Sequence, residues 1–276
     1  MDEKLIQERI RLGRAFISGF GDDTGLEDDY QSDQDLKKPQ PPLTKAPMTD
    51  RAFELPNDFE KLSIDGDFLH IINSRRSRRS YTEAPMSLLQ LSYLLWCSQG
   101  VKAVRGRAYA TLRTVPSGGA RHPFETYLAI QNVTGLQDGL YHYLPMKHRL
   151  EFLGCPEDLR GIISRSLCEQ DWAVKANVVF FYSCVFYRGE WRYGIWAHGP
   201  MLMDSGHVTE NLYLAATSIG LGSCAIAAVD PEAANPAFSL DGKEECIFYA
   251  MPVGTVPEDP QGEEETFYAF VREQNL

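Results

Sequence analysis

Residues 177–186 read Asn-Val-Val-Phe-Phe-Tyr-Ser-Cys-Val-Phe, a nearly continuous apolar run rich in β-branched and aromatic side chains. Such a run predicts a buried central strand, because a strand with no polar face must be covered on both sides. The chain around it mixes strand and helix signals without a regular βαβ rhythm, and no internal repeat is present. No Gly-x-Gly-x-x-Gly follows a first strand, which argues against a Rossmann nucleotide site. The expected fold class is therefore α+β, a central and mostly antiparallel sheet flanked by helices.

The other elements follow from local patterns. Residues 3–19 place Leu5, Ile6, Ile10, Leu12, Ala15, Phe16 and Ile17 at mostly helical spacing and predict a short amphipathic helix. Residues 22–35 are acidic, and residues 37–47 carry Pro39, Pro41, Pro42 and Pro47. Together they read as a linker or an extended arm over the surface, so that residues 1–61 precede a main domain of residues 62–276. In that domain a helix is expected to end near Asn73. Ser87 is placed to cap a second helix through Ser98, with Leu88, Leu91, Leu94 and Leu95 on its apolar face and Gly100 at its end. Residues 125–131 alternate as a strand, and residues 139–144 and 149–153 flank a hairpin turn at Pro145–His148. A long helix is expected over Met201–Ile219, and a last strand over Ile247–Val253.

The bulk properties narrow the function. With 276 residues, 43% hydrophobic and 24% charged, the chain has the composition of a globular protein with room for a core. A net charge of -11 disfavours nonspecific nucleic-acid binding, since a phosphate backbone would meet net repulsion. No apolar run approaches the length of a membrane span, and the first residues lack a basic-then-apolar signal region. None of the six cysteines forms a Cys-x-x-Cys pair, and most lie in apolar runs, so reduced, buried, structural thiols in a cytoplasmic protein are expected and no metal site.

Against that acidic background, Arg75-Arg76-Ser77-Arg78-Arg79-Ser80-Tyr81 gathers four of the 27 Lys+Arg residues into five positions. Guanidinium groups match a phosphate bidentately, and a neighbouring hydroxyl adds a donor, so the run reads as an anchor for a phosphorylated ligand. It reads equally as a solvated basic helix end. Downstream, Thr114 to Tyr127 form a turn of small residues leading into a strand, with Pro116, Ser117, Gly118 and Gly119 letting backbone approach a ligand closely.

These two segments, followed in order by Leu140-Tyr141-His142-Tyr143, Asp204-Ser205-Gly206-His207, Asn211 to Ala216 and Gly220-Leu221-Gly222-Ser223, resemble the nitroreductase superfamily of FMN proteins. Within it they resemble the SagB-type dehydrogenases, which include the azoline oxidases of peptide natural-product pathways. The likeness spans residues 65–255. It implies a nitroreductase-like fold built as an intertwined homodimer, with FMN at the subunit interface. It also implies that Arg75, Arg76, Ser77 and Arg79 contact the flavin phosphate and ribityl oxygens, and that Pro116, Ser117, Gly118 and Gly119 line the ring. Gly220, Leu221 and Gly222 would bring backbone groups to it across the dimer. Taken singly, Gly220 and Gly222 are also an ordinary helix end and turn, and His207 an ordinary helix-face histidine.

The chain departs from that branch where azoline oxidases carry Lys-Tyr. Here the pair is Arg192-Tyr193, and a guanidinium is a poor general base. Tyr193 stays available for proton handling, and His198, in Trp196-Ala197-His198-Gly199-Pro200, lies close enough in sequence to share the site. The expected activity is hydride transfer between flavin and a small organic or peptide-derived substrate. An NAD(P)H-dependent nitro or quinone reductase and a non-catalytic flavin-binding partner subunit are the alternatives.

Overall fold

The computed structural model describes residues 3–18, 30–257 and 272–274. The first elements are α1 (Glu3–Ser18), β1 (Ala52–Glu54), α2 (Phe68–Ser74), β2 (Met86–Ser87), α3 (Leu88–Gln99), β3 (Val101–Arg105) and β4 (Ala110–Arg113). The middle of the chain forms β5 (Phe124–Ile130), β6 (Val133–Thr134), β7 (Gly139–Leu144), β8 (Arg149–Gly154), α4 (Leu159–Ser166) and β9 (Val178–Val185). Then come α5 (Phe186–Tyr193), α6 (His198–Ser218), β10 (Leu221–Ser223), α7 (Pro231–Ala237) and β11 (Glu245–Thr255).

The apolar run at residues 177–186 is the pivot, as its composition predicts. β9 lies inside a seven-stranded sheet of order β1-β8-β7-β5-β9-β11-β10, in which every pairing is antiparallel. Its alternate side chains feed two cores. Phe180, Tyr182 and Cys184 pack with Leu91, Leu94, Leu95, Val208 and Leu212 of α3 and α6. Val179 and Phe181 pack with Leu159, Ile163, Ala234 and Phe238 from the α4–α7 side. Helices thus cover both faces, and the fold is α+β.

Ser87 caps α3 through a capping box: its Oγ accepts from the Gln90 N–H at 3.1 Å, while its own N–H donates to Gln90 Oε1 at 2.9 Å. Such caps contribute about 1 kcal/mol each. α6 starts at His198, three residues before the expected Met201. Pro200 falls in the first turn, where its missing N–H has no helical partner to lose.

Two expectations need correction. Residues 125–131 were expected to alternate, yet every residue of β5 is buried, because Glu125 is neutralised inside the protein instead of facing water. The thiols are all free, but Cys155 and Cys168 are exposed; each sits just past the end of an element, where the chain returns to the surface.

Most of the acidic stretch read over residues 22–35 lies outside the described residues. The proline-rich stretch is pinned to the domain by buried acids. The Met48 and Thr49 N–H groups donate to Glu151 Oε2 at 2.7 and 2.8 Å, and the Lys45 N–H donates to Glu125 Oε1 at 2.8 Å. β1 then extends the sheet beyond β8.

Candidate functional site

The arginine run leaves the C-terminus of α2 and meets the edge of the sheet. Ser77 forms a parallel bridge with Ser223 of β10, and the Arg78 N–H donates to the Ser223 carbonyl at 2.8 Å. Residues 146 apart in sequence are thereby joined, and the run lies beside Gly220-Leu221-Gly222. Gly222 is required at that crossing: a Cβ there would sit 2.1 Å from Val256 Cγ1 and 2.8 Å from Arg78 Cβ. Gly220 takes φ +71° as the chain turns from α6 into β10.

Tyr213 on α6 ties the crossing together. Its Oη lies 3.0 Å from Ser77 Oγ and accepts from the Ala225 N–H at 2.7 Å, while the Arg75 guanidinium lies over its ring at 5.2 Å. Arg79 is exposed and lies 5.8 Å from the Trp172 ring. Among the described residues, neither Arg75 nor Arg79 has a carboxylate within ion-pair distance. Along this edge stand two guanidinium groups, a hydroxyl and a glycine turn, with no carboxylate among the described residues at ion-pair distance from Arg75 or Arg79, a donor set suited to a phosphate.

The second group forms where the turn at Pro116–Gly119 meets α5 and α6. Asp204, 5% exposed, accepts from Ser117 Oγ at 2.6 Å and from the Gly118 N–H at 3.1 Å. Ser117 Oγ also accepts from the His122 N–H at 2.9 Å, so its single proton is directed at Asp204. Burial raises the Asp204 pKa from its ordinary value, against the lowering effect of these two donors. Gly119 has φ +56°, and a methyl group on it would lie 2.5 Å from Arg192 Nε and 2.6 Å from Tyr193 Oη. Arg192 and Tyr193 therefore rest directly on the glycine turn.

Arg192 is aimed by a neighbour outside the sequence motifs. Its Nη1 donates to Tyr109 Oη at 2.5 Å, and Gln34 Nε2 donates to the same oxygen at 3.3 Å. Behind it, Arg121 lies between the rings of Tyr109 and Trp191, at 4.7 and 5.5 Å. His198 does not join this group; its Nε2 pairs with Glu190 Oε1 at 3.0 Å on the exposed side. Burial raises the Cys97 pKa to about 11 and pushes Cys184 further up, which keeps both thiols protonated.

Asp204 and Tyr213 are nine residues apart on α6, two and a half turns, so their side chains leave opposite sides of the helix about 14 Å apart along its axis. Within one chain the phosphate-suited edge and the Tyr193 group thus flank α6 on different faces. Asp204, Tyr213, Tyr109 and Arg121 were missed as site residues. Only Asp204 carried a local signal, an acid in phase with the buried Met201, Val208 and Leu212 of an apolar helix face.

A nitroreductase family model matches residues 72–255, from just before the arginine run through β11. Nitroreductase MJ1384 of Methanocaldococcus jannaschii is 31% identical over 62% of this chain and 81% of its own length. Trifolitoxin-processing protein TfxB of Rhizobium leguminosarum bv. trifolii is 32% identical, over 40% of this chain and 30% of its own length. Among solved structures, a nitroreductase from Ralstonia eutropha superposes with a TM-score of 0.62 at 23% identity, covering 80% of this chain and 95% of that one.

Proposed function

The chain belongs to the nitroreductase family of oxidoreductases, and on that premise we propose that it is an FMN-dependent enzyme of the SagB-type branch, transferring hydride between flavin and a small organic or peptide-derived substrate. The observation that carries this reading is the edge formed by Arg75, Ser77 and Arg79 against Gly220–Ser223, where the Arg75 and Arg79 guanidinium groups have no acidic partner among the described residues. Arg75, Arg76, Ser77 and Arg79 would hold the phosphate and ribityl chain, and Pro116–Gly119 would face the ring. When bound, the flavin supplies the acceptance and donation of hydride. The placement of the two groups on opposite faces of α6 supports a site completed across a homodimer. Phe68 and Leu69 on α2 and Leu202 and Met203 on α6, large apolar side chains at least 48% exposed, supply surface for such an interface.

Within the site, Tyr193 Oη is the group placed to handle a substrate proton, and Arg192 orients and polarises, since a guanidinium is a poor general base. The peptide side of the reading draws on TfxB, a trifolitoxin-processing protein by name. The second reading, reduction of nitroaromatics or quinones by NAD(P)H, draws on the arginine that stands where azoline oxidases have lysine. An assay of NAD(P)H oxidation with and without a nitroaromatic separates the two, rapid turnover favouring the second.

The test of the cofactor is the visible spectrum after FMN addition and desalting, wild type beside an Arg75→Ala/Arg79→Ala double variant. Flavin bands retained by wild type and lost from the variant are expected. A wild type that emerges colourless overturns the reading.

A further inference from the structure

We infer that Arg192 and Arg121 form an anion subsite beside Tyr193 that receives a carboxylate of the molecule exchanging hydride with the flavin. This names a substrate class for the site proposed above and rests on that reading for the hydride partner.

Arg121 is only 5% exposed, yet its polar contacts are all to neutral oxygens. Its Nε donates to the Gly119 carbonyl at 3.0 Å and its Nη2 to the Tyr109 carbonyl at 2.9 Å. Those bonds and the two flanking rings orient the guanidinium without neutralising it. The charge nearest to it in this group is Arg192, of the same sign. Arg192 is half-buried, its Nη1 is held by Tyr109, and its guanidinium lies 5.4 Å from the Tyr193 ring centre. Among the described residues, no carboxylate lies within 4.0 Å of either guanidinium.

Two adjacent guanidinium groups, one buried and one half-buried, are costly unless a third group offsets them. The missing charge is negative, and the planar fork of Arg192 suits an oxyanion that it can meet with two parallel hydrogen bonds. A phosphate of the cofactor is accounted for at the other end of α6, by Arg75 and Arg79. The β3–β4 hairpin that presents Tyr109 also carries Lys102, Arg105 and Arg107, all exposed. In a chain of net charge -11, such a cluster creates a local field that the whole protein opposes. A carboxylate held there sits next to Tyr193 Oη, so the anchor also sets which substrate atom meets the proton-handling group.

The experiment is calorimetric titration of the full chain, with and without FMN, using 4-nitrobenzoate and its neutral analogue 4-nitrobenzamide as probes. Wild type is expected to bind the carboxylate about tenfold or more tightly than the amide. Arg192→Gln should bring that ratio to about one, and Arg192→Lys, which keeps the charge, should retain part of it. Equal binding of the two probes by wild type overturns the inference, as does a preference that survives Arg192→Gln or one lost equally in Arg192→Lys. Because the ratio is read with and without FMN, a failure of flavin retention leaves this result interpretable on its own.

Discussion

Arg188 and Arg121 are buried to the same degree, 4% and 5% exposed, and their surroundings are opposite. Arg188 is surrounded by acceptors: Glu125 takes its Nη2, and the carbonyls of Pro42 and His122 take its Nε and Nη1 at 3.1 and 3.3 Å. Glu125 in turn reaches His142 at 3.2 Å, and the other nitrogen of His142 meets Glu151 at 2.7 Å. Lys45 closes the far side by pairing with Glu245 at 2.5 Å. This is a closed network, with each charge answered inside the chain, and it fastens the proline-rich arm over the sheet. Arg121 has two carbonyls, two aromatic rings and another cation. Burial, aided by the like charge of Arg192, lowers its pKa. A cation answered within the fold serves the fold; Arg121, held in place with no carboxylate partner among the described residues, is on our inference kept for an anion from outside.

The largest effect that separates the two regions is on stability. Arg188→Met leaves Glu125 buried without its main counter-charge, and breaking a buried pair in this way costs about 3–5 kcal/mol. Arg79→Ala removes an exposed group with no ion pair among the described residues and should stay within about 0.5 kcal/mol of wild type while releasing flavin. Urea denaturation of both variants, with flavin content measured in parallel, checks the contrast. Similar losses in the two would erase the distinction between structural and ligand-directed arginines.

The fold was largely legible in the sequence because its main signals are local. The run through β9, the Ser87–Gln90 box and the Pro145–His148 hairpin each lie within a few residues of chain. What stayed hidden depends on distant partners. Nothing near Glu125 announces that residues 42–49 fold back over it. β1 and β10, three residues each, carry no periodicity and exist because β8 and β11 offer edges to pair with. At the candidate site the arginine run and the glycine turn were visible as composition, whereas Tyr109 was not, because its use lies in a hydrogen bond to a residue 83 positions away.

An intermediate effect comes from two buried histidines whose titrations have opposite signs. His122, 4% exposed, has its pKa lowered to about 3, mainly by burial and then by the charge of Arg113. Between pH 6.5 and about 3 the unfolded chain therefore binds a proton that the folded chain excludes, and stability falls as pH drops. For His142, burial acts to lower the pKa, but the hydrogen bonds to Glu125 and Glu151 outweigh it and the value is raised. Its contribution is complete below the unfolded value and is lost as pH rises through the folded one. From pH 6.5 down to the carboxylate range only His122 of the two changes the balance, at about 1 kcal/mol per pH unit. Denaturation across that window should show this slope in wild type and its loss in His122→Gln. A slope unchanged in the variant would assign the acid sensitivity elsewhere.

The smallest effect sharpens the comparison most. If Arg121 is held for an external anion, removing it should cost the ligand-free fold far less than removing Arg188. Arg121→Met forfeits two hydrogen bonds to carbonyls, each contributing about 1 kcal/mol, and relieves a desolvated charge that repels Arg192. The apolar replacement keeps most of the volume between Tyr109 and Trp191, so a net change within about 1 kcal/mol is expected. The signature then lies in linkage. At an anion concentration ten times its dissociation constant, 4-nitrobenzoate should stabilise wild type by about 1.4 kcal/mol and raise its Tm, since binding to the folded state alone adds RT ln(1 + [L]/Kd). Arg121→Met should keep its fold and lose most of that rise. A variant as damaged as Arg188→Met would instead make Arg121 another internal support, its charge answered by the fold through contacts other than a carboxylate.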